Sequence, residues 1–166
     1  MTARLTSPVA RLCLAVDRSI AALDTLQPAA QLAARLYVAE VFWRSGLTKI
    51  RDWETTLALF ANEYQVPLLD PVLAAWLGTA GELVLPVLLV LGLGGRFAAA
   101  GLFILNAVAV ASLPEIAPAA LQQHVFWGSL LAGLLLFGPG RWSVDGWLRR
   151  WLQRRGIGAA AAPAHG

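Results

Sequence analysis

The side chains with the most chemistry to offer sit inside long apolar runs: Arg35, Glu40, Glu82 and Asn106, with His124 near the start of the last run. At the centre of a membrane helix a charged residue costs about 2.5–3.5 kcal/mol on the translocon scale, so such groups normally face protein and find partners. Two readings of them stand side by side. They can line a polar ligand pocket or a proton path, or they can act as a clamp that fixes helix register, since a buried ion pair is weak support for stability and can serve to specify geometry. His124 lies beside Gln122, Gln123 and Trp127. One histidine without carboxylates at metal-ligand spacing makes a poor zinc or haem site, so no metal is expected. An interfacial histidine is the plainer reading and a ligand contact the sharper one.

Cysteine usage narrows the chemistry further. Cys13 is the only cysteine, which excludes an internal disulfide and a CxxC redox centre. Any redox role would therefore need a bound cofactor or a partner. The net charge is +3, but Lys49 is the only lysine and the arginines flank apolar runs, so nucleic acid is not an expected partner.

These residues need elements to hold them. Hydrophobic residues make up 58% of the chain and charged residues 14%, against about 45–50% and about 25% in ordinary soluble domains. A membrane helix needs about 20 mostly apolar residues. Four stretches qualify: residues 29–47, the least apolar, then 71–92, 95–113 and 121–137. Pro28, Pro71, Pro114, Pro118 and Pro139 fall at or just outside their ends, whereas Pro86 lies inside the second and should kink it unless neighbours satisfy the freed carbonyl. The expected fold is all-α: a four-transmembrane-helix bundle, residues 29–137, with flanking amphipathic interfacial helices. An N-terminal amphipathic segment occupies 1–28, a C-terminal interfacial helix 138–155, and 156–166 reads as a disordered tail.

Counting along these spans places Arg35 about 9 Å from one membrane edge and Glu82 about 16 Å from the other. In a core about 30 Å thick their depths agree within roughly 5 Å. Arg35 and Glu82 are therefore the expected interhelical pair, while Glu40 suits Arg44 at i,i+4. Glu40 and Asn106 come out near the same depth, so a single buried polar cluster is expected.

Nine basic residues, Arg4, Arg11, Arg18, Arg96, Arg141, Arg149, Arg150, Arg154 and Arg155, fall on one side of this arrangement. By the positive-inside rule both termini are expected in the cytoplasm. Leu5, Val9, Leu12, Val16, Ile20 and Leu23 repeat at helical spacing, as in a helix lying among headgroups. Ser143 can cap a last helix carrying Trp147, Leu148, Trp151 and Leu152. In the long connection after the first span, Trp53, Leu57, Phe60 and Tyr64 share one helical face, which reads as a lid on the outer surface or as an interface anchor.

Several features in order resemble the DoxX family of bacterial inner-membrane proteins. They are Arg35 followed by Phe42 and then Ser45, Gly46, Leu47, Thr48 and Lys49; Glu82; Leu91, Gly92 and Leu93 followed by Arg96; and the run from Gly138 through Pro139, Gly140, Arg141, Trp142, Ser143 and Val144 to Asp145. The resemblance spans about residues 30–148. It implies a four-helix bundle in the bacterial cytoplasmic membrane and, for part of the family, a link to thiosulfate–quinone oxidoreductase and other membrane redox complexes. The leading expectation is thus a membrane subunit or accessory of an oxidoreductase system, with the cofactor left open between a quinone and another small apolar molecule, and a soluble or membrane redox partner beside the surrounding lipids. Oligomers are compatible with this reading. The alternatives are a non-catalytic scaffold that anchors a soluble partner and a small-molecule transporter.

Overall fold

The computed structural model describes residues 8–156, and among them all regular structure is helical. Six helices follow one another: α1 Pro8–Arg51, α2 Trp53–Asn62, α3 Pro71–Leu91, α4 Gly95–Ser112, α5 Pro118–Phe137 and α6 Val144–Arg154. Arg4, Leu5 and the tail beyond Gly156 lie outside the described residues.

Local chemistry sets the helix boundaries. Asp70 caps α3 by accepting from the amides of Val72 and Leu73, with Pro71 in the first turn, where its missing N–H costs nothing. Gly92 ends α3 in the left-handed region, φ +64°, a conformation that disfavours any residue with a Cβ. Pro118 opens α5, and Ser143 caps α6 by accepting from the Gly146 amide, as its sequence suggests. α3 continues as a helix through Pro86, which is fully buried.

The boundary expected at Pro28 is absent. α1 is a single helix of 44 residues with Pro28 inside it. Proline within a helix forfeits one backbone bond and costs about 3 kcal/mol. Here the flanks, Ala21, Ala22, Ala29, Ala30, Ala33 and Ala34, are the strongest helix formers available. Residues 8–28 are therefore continuous with the bundle portion of α1 in one helix.

The four long helices close into a ring: α1 packs on α3, α3 on α4, α4 on α5, and α5 back on α1. Their shared interior is Val38, Phe42, Leu89, Ala98, Ala99, Leu102, Leu131 and Leu134. Small residues let the backbones approach, as is common between membrane helices. A Cβ on Gly81 would come within 2.7 Å of Leu105, and one on Gly101 within 2.7 Å of Leu85. Three of the four, α3, α4 and α5, are long and apolar enough to cross a membrane. Their outward faces are apolar too, with Val84, Ile104, Val125 and Leu136 all more than half exposed. Such a surface suits lipid and not water.

α2 turns its apolar face inward. Phe60 is buried with Ala74 and Ala75 of α3, and Trp53, Leu57 and Tyr64 pack around them. Trp53 also meets Trp76 with ring centroids 4.5 Å apart. The four-residue stripe read from the sequence is thus a docking face for α3. Burial, together with Glu63 and Glu82, pushes the Tyr64 phenol above its ordinary pKa, so it stays neutral.

Candidate functional site

The polar residues of the four long helices form three separate groups. The first lies between α1 and α3. Glu82 accepts from Lys49 Nζ at 2.6 Å through Oε2 and at 2.9 Å through Oε1, and Ser45 Oγ donates to the same carboxylate at 3.2 Å. Ser45 also accepts from Lys49 at 2.9 Å. Gly46 allows the close approach, since a Cβ there would meet Leu83 at 2.8 Å and the Glu82 Cβ at 3.2 Å. Directly above, the Thr56 hydroxyl of α2 donates to the Lys49 carbonyl at 3.0 Å. This bond ties α2 to the end of α1 beside the group, whose Lys49 and Glu82 side chains are mostly buried.

Arg35 belongs to the second group, at the arginine-rich end of the molecule. It is fully buried, and its NH2 donates to the Trp142 carbonyl. Nε and NH1 have no hydrogen-bond partner among the described residues. NH1 rests against Gly92, where an added Cβ would come within 2.3 Å of it and within 2.4 Å of the Ser143 Cβ. Asp145 ties this region together: its carboxylate accepts from the amides of Gly94 and Gly95, both at 2.9 Å, and its own amide donates to the Gly92 carbonyl at 3.0 Å. The segment between α5 and α6 is thus bolted onto the α3–α4 turn and onto Arg35.

The expected Arg35–Glu82 pair does not form. α1 and α3 run antiparallel, with Arg35 opposite Gly92 and Gly46 opposite Glu82. Ten residues of α3, about 15 Å, therefore separate Arg35's neighbour from Glu82. The sequence count assumed that the first span begins at residue 29 and extends to the same outer level as α3. Instead α1 ends near Glu82, and α2 packs beside the first turns of α3. Lys49, the residue actually opposite, stands four residues beyond Ser45, so both side chains reach the same carboxylate.

Glu40 is likewise outside any buried cluster. It pairs with Arg44 at 2.6 Å, as expected, but both side chains are exposed, at 58% and 76%.

The third group joins Asn106 of α4 to His124 of α5. Asn106 Nδ2 donates to the His124 carbonyl at 2.9 Å, which leaves Asn106 Oδ1 facing His124 Nδ1 at 2.9 Å. That oxygen only accepts, so Nδ1 carries a proton, and in the neutral ring Nε2 is then the acceptor. Gly128 makes room, since a Cβ there would lie 3.2 Å from Asn106 Nδ2. Trp127 packs edge-on to both His124 and Phe42, with its Nε1 buried and unpartnered. Alongside runs a groove of about 440 Å³ lined by Asn106, His124, Phe103, Val110, Leu121 and Val125 among others. Among the described residues no group of three or more His, Cys, Asp or Glu could hold a metal ion.

The DoxX family model matches residues 30–115. The chain belongs to the DoxX family. The family match covers most of α1's bundle portion, all of α2, α3 and α4, and hence Arg35, Lys49, Glu82, Gly92 and Asn106. It stops before α5, so His124 and the run from Gly138 to Asp145 lie beyond it. No curated protein and no solved structure matches the chain.

Proposed function

We propose that this DoxX-family protein is a four-span membrane subunit or accessory of a redox system, and that it binds a quinone in the groove between α4 and α5. The observation that carries this reading is the pairing of a 440 Å³ apolar groove with the Asn106–His124 couple on its wall. Ligand sites are typically apolar concavities with a few placed polar groups. His124 Nε2 is an acceptor for a quinol hydroxyl, and Asn106 Nδ2 retains one N–H beyond its bond to the His124 carbonyl. The residues present therefore fit the polar head of such a ligand, while Phe103, Val110 and Leu121 suit its apolar body. Asn106 and His124 here bind and orient. Electrons would come and go through a partner, since Cys13 is the only cysteine and offers no redox centre of its own.

In this reading α1 provides the fourth crossing. Two of its charges are paired within the protein, Lys49 with Glu82 and Arg44 with Glu40, while Arg35 donates to the Trp142 carbonyl. The arginine-rich end faces the cytoplasm of a bacterial inner membrane.

The test uses the detergent-purified full chain and a short-tailed quinone, followed by tryptophan fluorescence. Asn106→Leu with His124→Phe should weaken binding about thirtyfold, the worth of two hydrogen bonds to the ligand at about 1 kcal/mol each. Thermal melting of the variant monitors its fold. Equal binding by a folded variant sinks the proposal. A scaffold reading rests instead on α6, which exposes Trp147, Leu148 and Trp151 beside its arginines. Capture of a soluble partner that survives the same double substitution would favour it.

A further inference from the structure

A second cavity, lined by none of the residues of that groove, lies at the arginine-rich end, with a volume of about 630 Å³. Four arginines line it from three places: Arg96 from the first turn of α4, Arg141 from the segment after α5, and Arg149 and Arg150 from α6. None of the four makes an ion pair among the described residues. Arg96 spends one N–H on the Leu136 carbonyl at 3.0 Å, and Arg150 one on the Arg141 carbonyl at 3.1 Å. The one acid on the wall, Asp145, is committed to the Gly94 and Gly95 amides. With four arginines against one carboxylate, the cavity carries a net positive field with guanidinium donors to spare.

Its rim has a second chemistry. Phe97 of α4 and Phe137 of α5 line the same cavity and are 70% and 73% exposed. Both stand at the ends of apolar helices that are fit to cross a membrane. A ligand that fits both features is anionic at one end and apolar at the other. Basic pockets between membrane helices at the cytoplasmic level hold such headgroups, and guanidinium is well matched to phosphate.

We propose that this cavity binds the phosphate of an anionic phospholipid, with Arg96, Arg141, Arg149 and Arg150 on the headgroup and Phe97 and Phe137 against the acyl chains. The site is built from the α3–α4 turn, the α5–α6 segment and α6, so the lipid would hold α6 against the helix ring. It is independent of Asn106 and His124.

Native mass spectrometry of the full chain in detergent tests this, with phosphatidylglycerol, cardiolipin, phosphatidylcholine and inorganic phosphate added separately. Anionic lipid should be retained and phosphatidylcholine should not. Arg141→Ala with Arg149→Ala should lower retention about thirtyfold, from the usual strength of two basic residues at an anionic surface. Neither side chain makes a hydrogen bond that the fold would lose. The control is Arg11→Ala with Arg18→Ala, the same change of charge on the exposed first half of α1, which should bind like the parent. Equal loss in the control would mean diffuse attraction and overturn the site. So would equal retention of phosphatidylcholine, or displacement of the lipid by inorganic phosphate, which would assign the cavity to the free anion.

Discussion

Lys49 and Glu82 meet with little exposure, 20% and 15% for their side chains, and each has further hydrogen bonding through Ser45. Removing one partner leaves the other charge, mostly buried, without compensation, which costs more than the pair itself is worth. Lys49→Met or Glu82→Gln alone should lower stability by about 2 kcal/mol, the scale of a hydrogen bond to a charged group. The double substitution should recover part of that loss. Thermal unfolding of the two singles and the double in detergent reads the coupling, and strictly additive losses would show that the contact is energetically idle. Sequence alone singled out Glu82 and Arg35 as buried charges, and both are mostly or wholly withdrawn from the surface. Their partners were not legible, because partner choice depends on where α1 stops relative to α3, a tertiary quantity. The Glu40–Arg44 pair was legible because both residues sit on one helix, four apart.

At the scale of the element, α2 is tied to the end of α1 beside the Lys49–Glu82 group. Its start is fixed by Asp52, which accepts from the Thr55 amide at 3.0 Å and from the Thr55 hydroxyl at 2.6 Å. Those bonds favour the carboxylate and hold Asp52 below its ordinary pKa. The cap's contribution is therefore complete above the ordinary carboxylate range and is lost as pH falls through the depressed value. Hydrogen exchange at the Thr55 amide should accelerate, beyond its intrinsic pH trend, only once the pH falls below about 4 and on through the depressed value. Asp52→Asn should flatten that excess, and a parent protein with no excess would exclude the cap as the cause. The three spans α3, α4 and α5 were legible to within a few residues, because apolar length and flanking proline or glycine punctuate them. α1 was not, because Pro28 reads as a terminator and only the alanine-rich flanks carry the helix across it.

For the whole molecule, one end gathers Arg35, Arg96, Arg141, Arg149 and Arg150 around the α3–α4 turn and the α5–α6 segment, while α2 and the α4–α5 connection occupy the other. This polarity predicts the orientation. A cytoplasm-active reporter fused after Gly166 should be active, and one inserted between residues 51 and 70 should be silent, with a periplasm-active reporter giving the reverse. Periplasmic activity at the C-terminus would invert the topology and move the arginine-lined cavity to the wrong leaflet.

The unbroken course of α1 has a mechanical consequence. Residues 11–26 are all exposed, yet they share one axis with the segment clasped by α3 and α5. A helix of 44 residues is about 66 Å long, roughly twice the hydrocarbon thickness. Its two halves are consequently locked in phase, as on a shaft: turning the clasped half turns the free half by the same angle, and a single residue added between Gln27 and Gln31 would rotate the stripe of Val9, Leu12, Val16 and Leu23 by about 100° relative to the ring. Whatever meets that stripe is addressed by an angle as well as by a surface.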